Sequence, residues 1–188
     1  MAVEFQQEAV EQVHKCLDEL GLKRAADELV VVGGAAMAAY GIKNITKTDL
    51  DIAVTSELMD HLAHDDRWAP SSEHQMEEIV ATKKGIEKWV KDPERYAGLV
   101  AVRGNVTAIT PPLEDSTYHV SNYELIAEGV VPEEGHYRFS PLVRILDWKL
   151  TLVGNAEYQG DKEKHFQDAR KIASFLAKLK GQANIAIS

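Results

Sequence analysis

The chain has 188 residues, with 21 basic and 30 acidic side chains, a formal charge of −9 and 45% hydrophobic residues. That length and balance fit one domain with a sizeable core and exclude fibrous and intrinsically disordered chains. No stretch approaches the ~18 apolar residues of a bilayer-spanning helix, and the acidic N-terminus is unlike a signal peptide, so a cytoplasmic protein with no membrane partner is expected.

The average charge disfavours nonspecific binding to polyanions, yet it is unevenly spread. Residues 1–79 carry a net −10 and 104–137 a net −6, whereas 80–103 carry +3 and 138–188 carry +4. The single cysteine, Cys16, has no partner for an internal disulfide and reads as a small apolar residue of a helix.

In chain order, Phe5, Ala9, Val10, Val13, Leu17 and Leu20 recur at helical spacing and Gly21 stops the pattern, which predicts an amphipathic helix over 4–20. A short helical piece then leads to Leu29-Val30-Val31-Val32, a β-branched run bounded by Gly33-Gly34 that reads as a buried strand. Residues 35–41 predict a short helix ending at Gly41, and 49–54 a second strand. Ser56 opens a third helix through His64, and Ser71 or Ser72 caps another through Val80, followed by a turn or two over 84–91. Ala97–Arg103 and Val106–Thr110 read as a hairpin about Gly104-Asn105. Residues 113–139 suggest a short helix near Tyr123–Glu128, loops and a short strand. Ser140-Pro141 serves as cap and first residue of a helix through Val153, and Asp161 caps a last helix to about Lys180, ahead of a loose tail. The order predicts an α/β or α+β fold in which a small mixed sheet is flanked by helices. One domain spans 1–188, its core about 28–112 and a helical C-terminal part about 139–180.

The chemistry concentrates in Val30-Val31-Val32-Gly33-Gly34 and Thr48-Asp49-Leu50-Asp51-Ile52. Acids at alternate strand positions face the same way, and such a pair is relieved by sharing a proton or by holding a divalent cation. Hard oxygen ligands beside phosphates suit Mg²⁺. A glycine pair at a strand-to-helix turn lets phosphates approach the backbone N–H groups of Gly33 and Gly34.

A diglycine turn followed by an Asp-x-Asp strand resembles the nucleotidyltransferase superfamily, and most closely its AbiEii-type toxin-like members. Gly33-Gly34-Ala35-Ala36, Tyr40-Gly41, Thr46 and Asp49-Leu50-Asp51 occupy the places of that pattern. Ser140-Pro141, Lys149, and Lys164 with Asp168 match its later elements. The resemblance implies a nucleotidyltransferase-like core and transfer of a nucleoside monophosphate from NTP·Mg²⁺ to an acceptor hydroxyl on RNA, protein or a small molecule. It also implies a toxin or defence-associated role with a possible cognate antitoxin. On this reading Asp49 and Asp51 hold the metal and Gly33 and Gly34 cradle the phosphates. Lys149 neutralises the leaving pyrophosphate, and Asp168 is the candidate general base.

Three features depart from the pattern. Fourteen residues (35–48) separate Gly34 from Asp49, only Lys43 or Lys47 stands where relatives carry an arginine before Asp-x-Asp, and Thr107 stands where many carry a third acid. The third departure motivates a second reading, a nucleotide-binding or regulatory module of the same fold without turnover. A third reading is a modifier of cationic small molecules resembling aminoglycosides, which the acidic 104–137 segment would suit. Structural roles compete at each position: a tight turn for Gly33-Gly34, an Asp51–Lys47 pair, a snorkelling Lys149, a helix cap at Asp168 and a solvated face at Lys164. His61-x-x-His64 with Asp65, Asp66 and His74 forms a rival zinc set, weighed against surface histidines. Lys83, Lys84, Lys88 and Lys91 around Trp89 form a basic stripe that reads as a solvated face or a nucleic-acid contact.

Overall fold

The computed structural model describes residues 4–70, 78–81, 100–103, 121–156 and 158–185. It is a mixed α/β structure built on a six-stranded mixed sheet flanked by helices. Helix α1 (Gln7–Glu19) turns Ala9, Val10, Val13, Cys16 and Leu17 inward and ends at Gly21, whose φ of 80° suits glycine. A 3₁₀ segment, Leu22–Glu28, feeds strand β1 (Leu29–Val32), every residue of which is buried. Helix α2 (Gly33–Ala39) and a 3₁₀ turn (Ile45–Lys47) lead to β2 (Leu50–Val54). Helix α3 (Ser56–Ala63), strands β3 (Trp68–Pro70), β4 (Glu78–Ala81) and β5 (Val100–Arg103), and helix α4 (Asn122–Glu128) follow. Strand β6 (Arg138–Phe139) and helices α5 (Leu142–Gly154) and α6 (Lys162–Ile185) complete the described chain. None of the described helices is long and apolar enough to cross a membrane.

The strand order is β3-β4-β5-β2-β1-β6. Strands β1 and β2 are antiparallel with Val32 opposite Asp51, β6 runs parallel to β1, and β5 runs parallel to β2 with Ala101 opposite Asp51. Alternation along β1 divides the core. Leu29 and Val31 join the main cluster with α1, α2, α5 and Ile172 of α6, while Val30 and Val32 pack with Ala53 and Ile126 in a small cluster under α4. Because residues directly opposite in an antiparallel pair share a face, Asp51 stands with Val32 on this thinly covered side.

Several expectations need correction. The helix expected through Val80 is, over Glu78–Ala81, a strand paired to both β3 and β5, where Ile79 and Val80 suit a pleated sheet better than a helix. Thr55, not Ser56, caps α3, with its Oγ1 accepting from Leu58 N at 3.2 Å. Ser140 does not cap α5: its N–H donates to Val31 O at 2.9 Å, so the sheet claims its backbone and Pro141 takes the cap position. Helix α6 continues to Ile185, past the expected end at Lys180, through a stretch with no breaker besides Gly181. Asp161 does cap it, accepting from Lys164 N at 2.9 Å, and α4 begins with a Ser121–Glu124 capping box. The 84–91 helix, the Gly104-Asn105 turn, the Val106–Thr110 strand, His74 and the Lys83–Lys91 stripe lie outside the described residues.

Phe139 ties the β6 edge together. It is fully buried, exchanges two backbone hydrogen bonds of 2.9 Å with Val130, and lies 5.7 Å from the Phe5 ring. Phe139→Ala should lower the unfolding free energy by about 3–5 kcal/mol, the usual cost of emptying an aromatic site, as measured by urea denaturation.

Candidate functional site

The diglycine turn and the Asp-x-Asp segment meet. Gly33 has φ +61°, and a Cβ placed on it would lie 2.9 Å from Asp51 Oδ2. A Cβ on Gly34 would lie 3.1 Å from Thr48 Cβ. The backbone conformation at Gly33 favours glycine, and a side chain at Gly34 would make Thr48 give way by a few tenths of an ångström. Asp51 is half-buried on β2, and exposed Asp49 precedes the strand by one residue. These carboxylates supply two hard oxygen donors. Among the described residues no group of three or more His, Cys, Asp or Glu side chains is arranged to hold a metal ion, and His61 and His64 are exposed on and just after α3.

A second cluster forms where α5 and α6 pack together. Lys149 is 4% and Asp168 2% exposed. Asp168 Oδ2 accepts from Lys43 Nζ at 2.8 Å and lies 3.5 Å from Lys149 Nζ. Lys149 Nζ also lies 3.0 Å from His165 Nδ1 and 4.5 Å from the centre of the Trp148 ring. On its far side, His165 Nε2 lies 2.7 Å from the Tyr158 hydroxyl. Burial pulls the Lys149 ammonium down to about 8 against the opposing pull of Asp168, with Lys43 and Lys164 adding repulsion. Burial and the adjoining Lys149 together take His165 down to about 4, so its imidazole is neutral at pH 7. Two ammonium groups thus share one carboxylate, a surplus of positive charge in a largely dry setting that an anion would relieve.

The connection 41–49 joins the two clusters. Lys43 anchors its start to Asp168, Asn44 Oδ1 accepts from Thr46 N at 2.9 Å to shape the 3₁₀ turn, and Thr48 ends it against Gly34. Beside the anchor, a shallow groove of about 400 Å³ is lined by Ile42 and by Gln167, Arg170, Lys171 and Lys178 of α6.

The fold brings Gly33 to Asp51 and Lys149 to Asp168, while the partners of Lys149 are Asp168, His165 and Trp148 rather than the acid pair. Lys164 is exposed. Sequence reasoning missed His165 and Tyr158 and saw Lys43 only as a stand-in for an arginine. A signal existed for His165: with Asp168, Ala169 and Ile172 it follows the i, i+3, i+4, i+7 spacing of the buried face of α6. No family model, curated protein or solved structure matches the chain.

Three outcomes follow from this geometry. Asp168→Asn should destabilise the fold by about 3–5 kcal/mol in urea denaturation, because it leaves two ammonium groups without their carboxylate. Lys149 sits below its unfolded value of 10.5, so the unfolded chain holds the extra proton between pH 8 and 10.5, and this group's contribution to stability rises with pH across that window. Comparing wild type with Lys149→Met by denaturation at several pH values isolates that slope. For His165, carbon-13 NMR of the imidazole should give a midpoint near 4, and a value at or above 6.5 would contradict the burial described.

Proposed function

We propose that the protein is a Mg²⁺-dependent nucleotidyltransferase that moves a nucleoside monophosphate from NTP to an acceptor hydroxyl. The observation that carries this reading is the seating of Gly33 against the Asp51 carboxylate. It brings the strand-to-helix turn, where phosphates would approach the backbone, directly onto a carboxylate of the Asp-x-Asp segment, and a side chain at residue 33 would press on that carboxylate. Asp49 and Asp51 are the residues that would hold the cation, with hard oxygens of the type Mg²⁺ selects. When bound, the cation supplies charge neutralisation to the triphosphate. The acceptor oxygen forms a bond to the α-phosphorus as the bond to pyrophosphate breaks, the hydroxyl proton passing to bulk water, and the side-chain-free turn at Gly33 and Gly34 would let backbone N–H groups approach the phosphates. Lys149, and Lys43 with it, supply positive charge toward the phosphates, a task for which the surplus ammonium of their cluster is suited. Asp168 was expected to accept the hydroxyl proton. Buried between two lysines, it is better used to orient them, and we assign it that role.

The acceptor belongs to the same proposal. The groove next to Lys43 carries Arg170, Lys171 and Lys178, and α6 has no acid after Asp168, which favours an anionic acceptor such as RNA over a cationic aminoglycoside. One observation favours the reading without turnover: the strand beside β2 runs Val100-Ala101-Val102-Arg103 and offers no third carboxylate.

Thermal-shift titration with NTP and MgCl₂ tests the nucleotide site. Stabilisation by several degrees is expected in wild type and should disappear in the Asp49→Ala, Asp51→Ala double variant. No stabilisation in wild type, or an equal shift in the variant, would overturn the assignment. Transfer of label from α-phosphate-radiolabelled NTPs to total RNA, purified protein or aminoglycosides then separates the acceptor classes. Binding without transfer to any of them is the signature of the turnover-free module.

A further inference from the structure

At the β6 edge of the sheet a second groove, of about 800 Å³, opens on the opposite kind of chemistry. Its floor is apolar, formed by Phe5 and Tyr40, whose rings lie 4.8 Å apart, and by Val130 and Val131. The two valines are adjacent and each is 41% exposed, a costly place for apolar surface unless something covers it. The rim carries the exposed carboxylates of Glu4, Glu133 and Glu134, and among the described residues no cation lines the groove. Gln7 Nε2 donates to Glu134 Oε2 at 3.3 Å, so Glu134 is held near the α1 side of the opening. The backbone has an edge character too. Val130 is bridged to Phe139 through both of its main-chain groups, whereas Val131, next along, has no hydrogen bond to either its N–H or its C=O among the described residues.

We propose that this groove docks an extended peptide segment of a partner protein that carries basic and apolar side chains. Apolar residues of the peptide cover Val130, Val131 and the Phe5–Tyr40 pair, basic residues meet Glu4, Glu133 and Glu134, and the free main-chain groups of Val131 are available to pair as at a sheet edge. Charge complementarity selects the occupant: three carboxylates, with no cation among the described lining residues, oppose an acidic segment, and residues 104–137 contain no lysine or arginine. Burial pushes the Tyr40 phenol up to about 12, so the floor adds no charge of its own at neutral pH. This surface is independent of nucleotide transfer and stands or falls without it.

The test uses the full chain, labelled with nitrogen-15, and two eight-residue probes of equal apolar content, one alternating lysine with valine and the other glutamate with valine. The lysine probe should shift the amide signals of Val130, Val131 and Glu133 saturably. Its affinity should exceed that of the glutamate probe by about tenfold, and Glu133→Lys with Glu134→Lys should weaken it by about tenfold. Both substituted positions are exposed, so thermal unfolding serves to verify that the variant is folded. The proposal is overturned by absent or non-saturating shifts, by equal response to the two probes, or by indifference to the charge reversal in a folded variant. It is also overturned if the probe binds only after residues 1–3 are removed, which would make the chain's own terminus the occupant. A further overturning result is that the same signals shift with protein concentration alone, which would make it a second copy.

Discussion

The pairing of Val32 with Asp51 is the constraint on which the rest depends. Antiparallel register sets β1 and β2 so that the residue after Val32, Gly33, arrives beside the Asp51 carboxylate, and the positive φ of Gly33 then turns the chain into α2. A slip of one residue would exchange the faces of β2, burying Asp51 in the main core and exposing Ile52. That cost is prohibitive, because Ile52 is fully buried with Val31 in the larger cluster. Hydrophobic packing on one face of the sheet thereby fixes the polar geometry on the other.

The lysine pair obeys a different economy. Burying Lys149 is unfavourable, and Asp168 alone would make it a simple ion pair, but Lys43 takes the shorter contact to the same oxygen. His165 serves as a neutral acceptor for the remaining ammonium hydrogens, and Tyr158 beyond it completes the imidazole's second hydrogen bond. Such an arrangement favours neither the tightest packing nor the fullest charge compensation. It does keep a cation oriented at the base of the 41–49 connection, the segment that delivers Asp49 to the sheet. The Lys43 anchor and the Thr48–Gly34 contact hold that connection at its two ends, so the surplus charge and the acid pair are mechanically joined although they occupy separate clusters.

Local pattern sufficed for much of this. The β-branched run 29–32, the diglycine, the spacing of α1 and the Asp161 cap are each decided within a few residues, and they are where the chain places them. Non-local pairing defeated the same approach at Glu78–Ala81, which becomes a strand because β3 and β5 lie on either side, and at Ser140, whose N–H is taken by Val31 from more than a hundred residues away. The candidate site divides in the same manner. Gly33, Gly34, Asp49 and Asp51 stand out in sequence since one turn and one strand present them. Lys43 meeting Asp168 spans 125 positions, and nothing near Lys43 distinguishes it from Lys47.

The net charge of −9 gains a spatial meaning from these placements. Asp51 stands beside Gly33 with Asp49 two residues before it, and three more acids line the apolar groove at the β6 edge, so acids gather at two sites. The cations are gathered as well: every charged residue of α6 beyond Asp168 is basic, and Arg170, Lys171 and Lys178 line one groove with Ile42. Separation of this kind stores no folding energy, since exposed charges of one sign repel one another and are screened within about 10 Å at moderate salt. It is maintained against that cost, and an electrostatic asymmetry that does not stabilise the fold is most economically explained by partners: an anion on the α6 side, a cation on the β6 side. The two surfaces differ in hydrophobicity as they do in sign. Exposed valines mark the acidic groove as a place to bury a side chain, whereas the shallow basic groove is fitted to contact along its length without enclosure.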